Sequence, residues 1–416
     1  MKIVWYSNHP AAPTGYGTQT QAVTRRLAAA GHDVSILNNY GIASGMGVTP
    51  YEDIPVWPQG VTQYSLDVVN AQAKAIFADG PGWVITLYDV WPLLEAGDPF
   101  KEFPTISWTP VDHFPITPQV LEWAKSHPTI AMAKYGAAML QREGIASKYI
   151  PHTYEASTYS PGDRKEGRDA LQVPEGAHLT VINAANIGKA PPRKAWIENL
   201  QALARFMKAH EDAYLYLHTD MSRPNGLPLE YWIKLIGFPT ERIRTADPLA
   251  YRVGLTSPDV LAKIYRAADV LLAASGGEGF GIPVVESMAC GTPAIVTDFS
   301  AQPELIGSTG WKVAYQLQAD LGQGSFLAMP LVDSIVEQLE ASYAQTPAEA
   351  TARREAAAAK AAEYEADTVF NDMWLPLVTE LEQTLNAEVA RKNSPLVGPD
   401  GQKLNRAQRR ANRGRK

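Results

Sequence analysis

The chain has 416 residues, 45% of them hydrophobic, with 37 Lys and Arg against 44 Asp and Glu and a net charge of −7. That length exceeds one ordinary core and predicts two domains, and the acidic balance excludes a fold that binds nucleic acid through its bulk charge. Cys290 is the only cysteine, which excludes an internal disulfide and makes a reducing cytoplasm the expected setting. No apolar run reaches the length of about 18 residues needed to span a membrane. The opening residues MKIVWYSNHP lack the basic-then-apolar order of a signal peptide. Cysteine and histidine show no zinc spacing, so no metal site is expected.

KIVWYS, residues 2–7, predicts a first strand, followed by the loop NHPAAPTGYG, a helix over 18–30 stopped by Gly31, and the strand HDVSILN. This is a βαβ opening. Gly15 and Gly17 lie in the loop without the full G-x-G-x-x-G spacing, so a dinucleotide fingerprint is not supported. Residues 41–60 are rich in glycine and proline and are expected as an irregular, functional loop. GWVITLYDV and PTISWTPVD predict buried strands; the second runs into Asp112 and His113, a polar pair at a strand's carboxyl end. TIAMAK, the helix YGAAMLQREG and KYIPH complete a first domain, and Pro161–Asp169 has the composition of a linker, placing the boundary near Ser160.

The second domain opens with the strand LTVINAAN and a basic pair, Arg193-Lys194, at the start of a helix. AYLYLHTD predicts a strand, PLEYWIKLIG a helix, and PDVLAKIYRAA another helix with Leu261, Ile264 and Tyr265 in helical period. ADVLLAAS then leads into SGGEGFGIPVVESMACGTPAIVTD, residues 275–298: a loop, a short helix and a buried strand. Pro283 suits the first helical turn and Gly291 the helix stop; Cys290, on this helix, is expected to be buried. Glu278 lies in the loop and Glu286 in the first turns of the helix. Ionised carboxylates only accept hydrogen bonds, so such a pair suits a sugar or a ribose. The N–H groups of Gly279, Phe280 and Gly281 at the helix N-terminus suit phosphate. Sugar, phosphate and ribose together describe a nucleotide sugar.

Further on, Glu304 is expected to cap a helix, and helices are predicted over 330–344, 347–364 and 366–389. The last carries Phe370, Trp374, Leu377 and Leu381 on one face. Residues 391–416 form a polar, arginine-rich block, expected as a disordered tail with nucleic acid or an acidic surface as candidate contacts.

The stretch from Glu278 to Glu286, followed by SMACGTP, resembles the E-x7-E signature of retaining GT-B glycosyltransferases of the GT4-like group, the glycosyl transferases group 1. The match extends through AADVLLAAS before it and TDFSAQPELI after it. The resemblance implies an α/β fold, GT-B, of two Rossmann-like domains facing a cleft. Residues 1–160 would be the acceptor domain, 161–365 the donor domain, 366–390 a helix crossing back onto the first domain, and 391–416 the tail. It also implies that Glu278 binds the donor sugar, Glu286 the ribose, Arg193 and Lys194 the diphosphate, and that the Gly15–Gly17 loop lies by the phosphates. His113, with Asp112 as the alternative, would contact the transferred sugar, making His113, Asp112, Glu278 and Lys194 the catalytic candidates. Tyr251 or Arg252 would meet the base. One departure stands out: many members have Gly-Arg where this chain has Ala185-Asn186, which leaves Arg193 and Lys189 as alternatives for the second cation. The activity implied is hexosyl transfer from a nucleoside diphosphate sugar with retention, by front-face substitution, with neither metal nor cofactor beyond the donor substrate. The acceptor is open among glycan, lipid, protein and DNA, its pocket expected around residues 41–60 and 91–103. Rival readings are a nucleotide-sugar epimerase, a non-catalytic nucleotide-sugar-binding protein, and a transferase whose arginine-rich tail holds DNA.

Overall fold

The computed structural model describes residues 1–41, 47–188 and 191–393. Lys189 and the tail from residue 394 onward lie outside the described residues. Eight strands form the first sheet: β1 (Lys2–Ser7), β2 (Asp33–Asn38), β3 (Thr49–Tyr51), β4 (Ile54–Trp57), β5 (Gly82–Leu87), β6 (Thr105–Thr109), β7 (Thr129–Ala131) and β8 (Lys148–Tyr149). Their order is β3-β4-β2-β1-β5-β6-β7-β8, parallel apart from the antiparallel β3–β4 pair. β5 and β6 are buried along their whole length, as central parallel strands covered on both faces must be.

The second sheet is wholly parallel: β9 (His178–Asn183), β10 (Ala213–His218), β11 (Ile243–Thr245), β12 (Val270–Ala273), β13 (Ala294–Thr297) and β14 (Trp311–Val313), in the order β11-β10-β9-β12-β13-β14. A separate antiparallel hairpin follows, β15 (Tyr315–Asp320) and β16 (Ser325–Pro330). The sequence does not foreshadow this hairpin. β15 is exposed over five of its six residues, so it lacks the in–out alternation that announces a strand.

Three expectations need correction. The first helix starts at Gly15, because Thr14 caps it by accepting a hydrogen bond from the Gly17 N–H at 3.0 Å. Gly15 and Gly17 therefore belong to the first turn and not to the loop. The stretch 41–60 contains the β3–β4 hairpin, with Tyr51 opposite Ile54; residues 42–46 lie outside the described residues. Half of the expected linker is the helix Lys165–Leu171. Its composition is overridden by packing: the Arg168 guanidinium is buried, donates to the carbonyls of Pro174, Glu175 and Ala177, and pairs with Asp269 at 2.7 Å.

The last described elements return to the first sheet. Ala366–Val369, a wide turn at Phe370–Trp374 and the helix Leu375–Asn393 run on in one direction. The Trp374 ring lies 5.6 Å from that of Trp5 and 4.9 Å from that of Trp108, and Trp83 Nε1 donates to the Leu381 carbonyl at 3.0 Å. Phe370, Trp374, Leu377 and Leu381 are all buried. One apolar core thus contains residues of both sheets and of this returning helix.

Candidate active site

The site forms where loops from the carboxyl ends of β6, β9 and β12 meet. After β9 the chain delivers Arg193 and Lys194 to the start of the helix Trp196–Ala209. After β12 it turns through Ser275–Gly281, and the two segments are tied by a hydrogen bond from Gly276 N to Arg193 O at 2.6 Å. Glu278 sits between the cations. Its Oε1 lies 2.5 Å from Lys194 Nζ and 2.8 Å from Ser275 Oγ, and its Oε2 lies 3.0 Å from Arg193 Nη1.

The pairing continues across the cleft. Arg193 Nη1 stands 3.4 Å from Asp112 Oδ2, and Asp112 Oδ1 is 2.6 Å from His113 Nδ1. The other ring nitrogen, His113 Nε2, faces Asp320 Oδ2 of β15 at 3.4 Å. Lys194, Glu278, Arg193, Asp112, His113 and Asp320 therefore form one chain of alternating basic and acidic side chains that crosses between lobes twice.

The protonation states follow from these neighbours. Burial alone would raise the Asp112 pKa, but His113, Arg193 and Lys194 hold it at about 2. Glu278 is also lowered in spite of burial, by Lys194 and Arg193. At Lys194 the balance reverses: burial lowers its pKa and outweighs Glu278, because Arg193 opposes it as a like charge. Glu278 has two opposite charges beside it, whereas Glu278 and, more weakly, Asp112 act on Lys194 against the like charge of Arg193, so the two ends of the pair respond unequally. Burial would lower His113, yet Asp112 and Asp320 raise it above its ordinary value.

Glu286 is elsewhere in character. Its carboxyl is buried, and Tyr265 donates to Oε2 at 3.3 Å. Burial lifts its pKa to about 7, against the hydrogen bonds of Tyr159 and Tyr265. A narrow cavity of about 30 Å³ beside Glu278 is lined by Asn183, Lys194, Asn199, Ser275 and, from the helix Ile282–Ala289, by Pro283 and Val284; Glu286 is not part of its wall. That volume holds about one water.

The glycines of the motif have a packing reason. A Cβ on Gly277 would lie 2.1 Å from the Asp112 carbonyl oxygen, and one on Gly279 would lie 2.5 Å from Pro110 Cβ. They let the two lobes touch. Phe280 is an anchor, its ring buried 5.4 Å from His152 and 5.5 Å from Tyr364. Gly281, at φ 120°, precedes the helix as its N-cap. Gly15 abuts the same helix, its added Cβ 3.1 Å from Ile282 Cδ1, whereas Gly17 is enclosed by the carbonyls of His9 and Ala12.

Other candidates lie apart from the charged chain. Arg252 pairs with Asp220 at 2.5 Å, and the Tyr251 ring lies 5.2 Å from that of His218. Asn186 donates to the Asp220 carbonyl at 3.0 Å, tying this group to the end of β9. Glu304 caps the helix Lys134–Arg142 of the opposite lobe, accepting from the N–H groups of Lys134 and Tyr135 at 2.9 and 3.0 Å. Sequence reasoning missed Asp320, whose strand gives no pattern, and Asp89, a negative charge felt by Arg193.

Residues 184–324 match the family described as Glycosyl transferases group 1. Over that segment the chain is similar to group 1 glycosyltransferases. It is similar to the D-inositol 3-phosphate glycosyltransferase of Rhodococcus erythropolis, 31% identical over 157 residues, covering 35% of this chain and 31% of that protein. The match to such relatives spans about a third of their length. In fold it is similar to a sucrose-phosphate synthase from Thermosynechococcus elongatus, with a TM-score of 0.71 at 18% identity, over 93% of this chain and 100% of that one. It is likewise similar to the Anabaena protein HepE, solved in complex with UDP-glucose, with a TM-score of 0.65 at 14% identity, over 93% of this chain and 100% of that one. The fold is GT-B, two Rossmann-like lobes facing a cleft. The group 1 segment contains Arg193, Lys194, Glu278, Glu286 and Asp320; Asp112 and His113 lie before it.

Proposed function

We propose that the protein transfers a hexose from a nucleoside diphosphate sugar to an acceptor hydroxyl, with retention at the anomeric carbon. The observation that carries this reading is the position of Glu278, held ionised between Arg193 and Lys194 and facing Asp112 and His113 across the cleft. Two cations at a helix start suit a diphosphate, and an ionised carboxylate beside them suits the hydroxyls of the attached sugar. The solved complex of the Anabaena protein with UDP-glucose supports a nucleotide-sugar donor for this fold.

In this reading the donor diphosphate takes over Arg193 and Lys194 as the bond to the sugar breaks, and the cations stabilise the charge that grows on the leaving group. Glu278 is then released to the sugar hydroxyls. His113, set between two carboxylates, meets the sugar from the opposite lobe. A phosphate oxygen of the donor takes the proton from the attacking hydroxyl on the same face, which gives retention. Closure of the lobes excludes water, the competing acceptor. Glu286 is proposed for the ribose, where a carboxyl that keeps its proton both donates and accepts. No metal or organic cofactor has a part in the proposal, and a cytoplasmic setting is proposed with it.

The test is a panel of nucleoside diphosphate sugars, followed for nucleotide release and, by proton NMR, for the anomeric configuration of the product. Release from one donor with an α-configured product from an α-configured sugar supports the reading. An inverted product sinks retention, and a folded protein that binds a donor without releasing nucleotide sinks transfer.

A further inference from the structure

The β15–β16 hairpin belongs to neither large sheet, yet it touches both lobes. On its own lobe, Ala328 N donates to the Gly276 carbonyl at 2.7 Å, and Leu327 and Met329 are buried against Ala195. An added Cβ on Gly276 would lie 3.1 Å from Met329 Sδ, so the hairpin rests directly on the loop that carries Glu278. Toward the other lobe, Phe326 and Phe114 exchange both backbone hydrogen bonds at 3.1 Å, and Ser325 Oγ donates to the Pro115 carbonyl at 2.5 Å. These contacts place Asp320 opposite His113.

His113 now has a carboxylate at each ring nitrogen. A neutral imidazole carries one N–H and one lone pair, so it satisfies only one of them; a protonated ring donates to both. The charged groups around it are Asp112 on its own loop, Asp320 on the hairpin, and Arg193 and Lys194 beyond Asp112, while Tyr135 of the helix Lys134–Arg142 donates to the His113 carbonyl at 2.8 Å. Asp112 is shared with Arg193, whereas among the described residues the carboxyl of Asp320 is shared with the turn N–H groups of Gly322 and Gln323.

We propose that Asp320 is a positioning residue: the hairpin carries it across the cleft to hold His113 doubly protonated and fixed in orientation toward the transferred sugar. This inference rests on the transfer reading, and its test separates the two. Asp320→Asn keeps an acceptor for the Gly322 and Gln323 N–H groups and removes only the charge. Asp320→Glu restores the charge on a longer arm.

Two quantities are measured on the full chain. The first is the titration midpoint of His113, from imidazole NMR without substrate. The second is kcat and donor KM against pH. The expected result for Asp320→Asn is a lower His113 midpoint, a kcat reduced by up to about 100-fold, a donor KM close to that of the parent, and a kcat–pH profile whose loss on the alkaline side moves to lower pH. Asp320→Glu should recover part of each. An unchanged midpoint overturns the contact. A lower midpoint with unchanged kcat and pH profile overturns the positioning role and leaves Asp320 as a turn residue. If the parent protein shows no transfer with any donor, the transfer reading and the positioning role both fall, while the midpoint still decides whether Asp320 holds His113.

Discussion

Glu278 and Glu286 share one motif, but their surroundings are opposite. Glu278 stands between Lys194 and Arg193 and stays ionised although little of it meets solvent. Glu286 meets the hydroxyls of Tyr159 and Tyr265 and has no ion pair among the described residues, and burial lifts its pKa to about 7. The same side chain is thus a fixed anion at the loop and a proton-bearing group one helix turn later. What separates them is the next shell of residues, contributed by β9 and its following loop for Glu278, and by the 154–160 segment and the Pro258–Ala267 helix for Glu286.

The contrast breaks most sharply at the loop. Glu278→Gln should lower kcat by at least about 100-fold, the size of losing one electrostatic partner of the transition state, while the protein stays folded by circular dichroism. Arg193→Ala should cost a similar factor in kcat and also weaken binding of the free nucleoside diphosphate, measured by calorimetry. If diphosphate affinity is unchanged in that variant, Arg193 is not a phosphate ligand.

Glu286 predicts a pH effect of opposite kind. Its carboxyl titrates near 7 when folded and in the ordinary carboxylate range when unfolded, so between those values the folded chain holds an extra proton. The stability this contributes is full below the ordinary range and is lost as pH rises toward about 7. Glu286→Gln should remove that slope and, above neutral pH, gain on the order of 3 kcal/mol relative to the parent, read from urea unfolding at several pH values. A parent slope that persists in the Gln variant would assign the effect to another group.

Gly277→Ala and Glu304→Ala sharpen the account more gently. The first forces a methyl toward the Asp112 carbonyl and should part the lobes, raising donor KM with little change in unfolding midpoint. The second removes the cap on the Lys134–Arg142 helix and should cost about 1 kcal/mol of stability. No stability change in Glu304→Ala would mean that solvent replaces the cap.

Much of this arrangement was legible in the sequence. β1, β2, β5, β6, β9, β10, β12 and β13 announce themselves as short apolar runs, because parallel strands are buried on both faces. The loop–helix–strand around Glu278 was legible because Pro283 and Gly291 punctuate it. Three things were hidden for physical reasons. The Lys165–Leu171 helix reads as a linker because what holds it is Arg168 reaching distant carbonyls. The exposed β15 carries no alternation, so Asp320 had no context. The different fates of the two glutamates depend on neighbours over 80 and over 20 residues away, Lys194 and Tyr265, which no local pattern shows.

The central claim is that Glu278, ionised by two cations, belongs to the donor site of a sugar transferase. The most direct measurement compares the parent and Glu278→Gln side by side, reading nucleotide release and donor-induced thermal stabilisation with the donor that the parent accepts. The expected result is release by the parent, a loss of at least about 100-fold in the variant, and a stabilisation by free nucleoside diphosphate that survives in both. Release at the parent rate from a folded Glu278→Gln protein would contradict it.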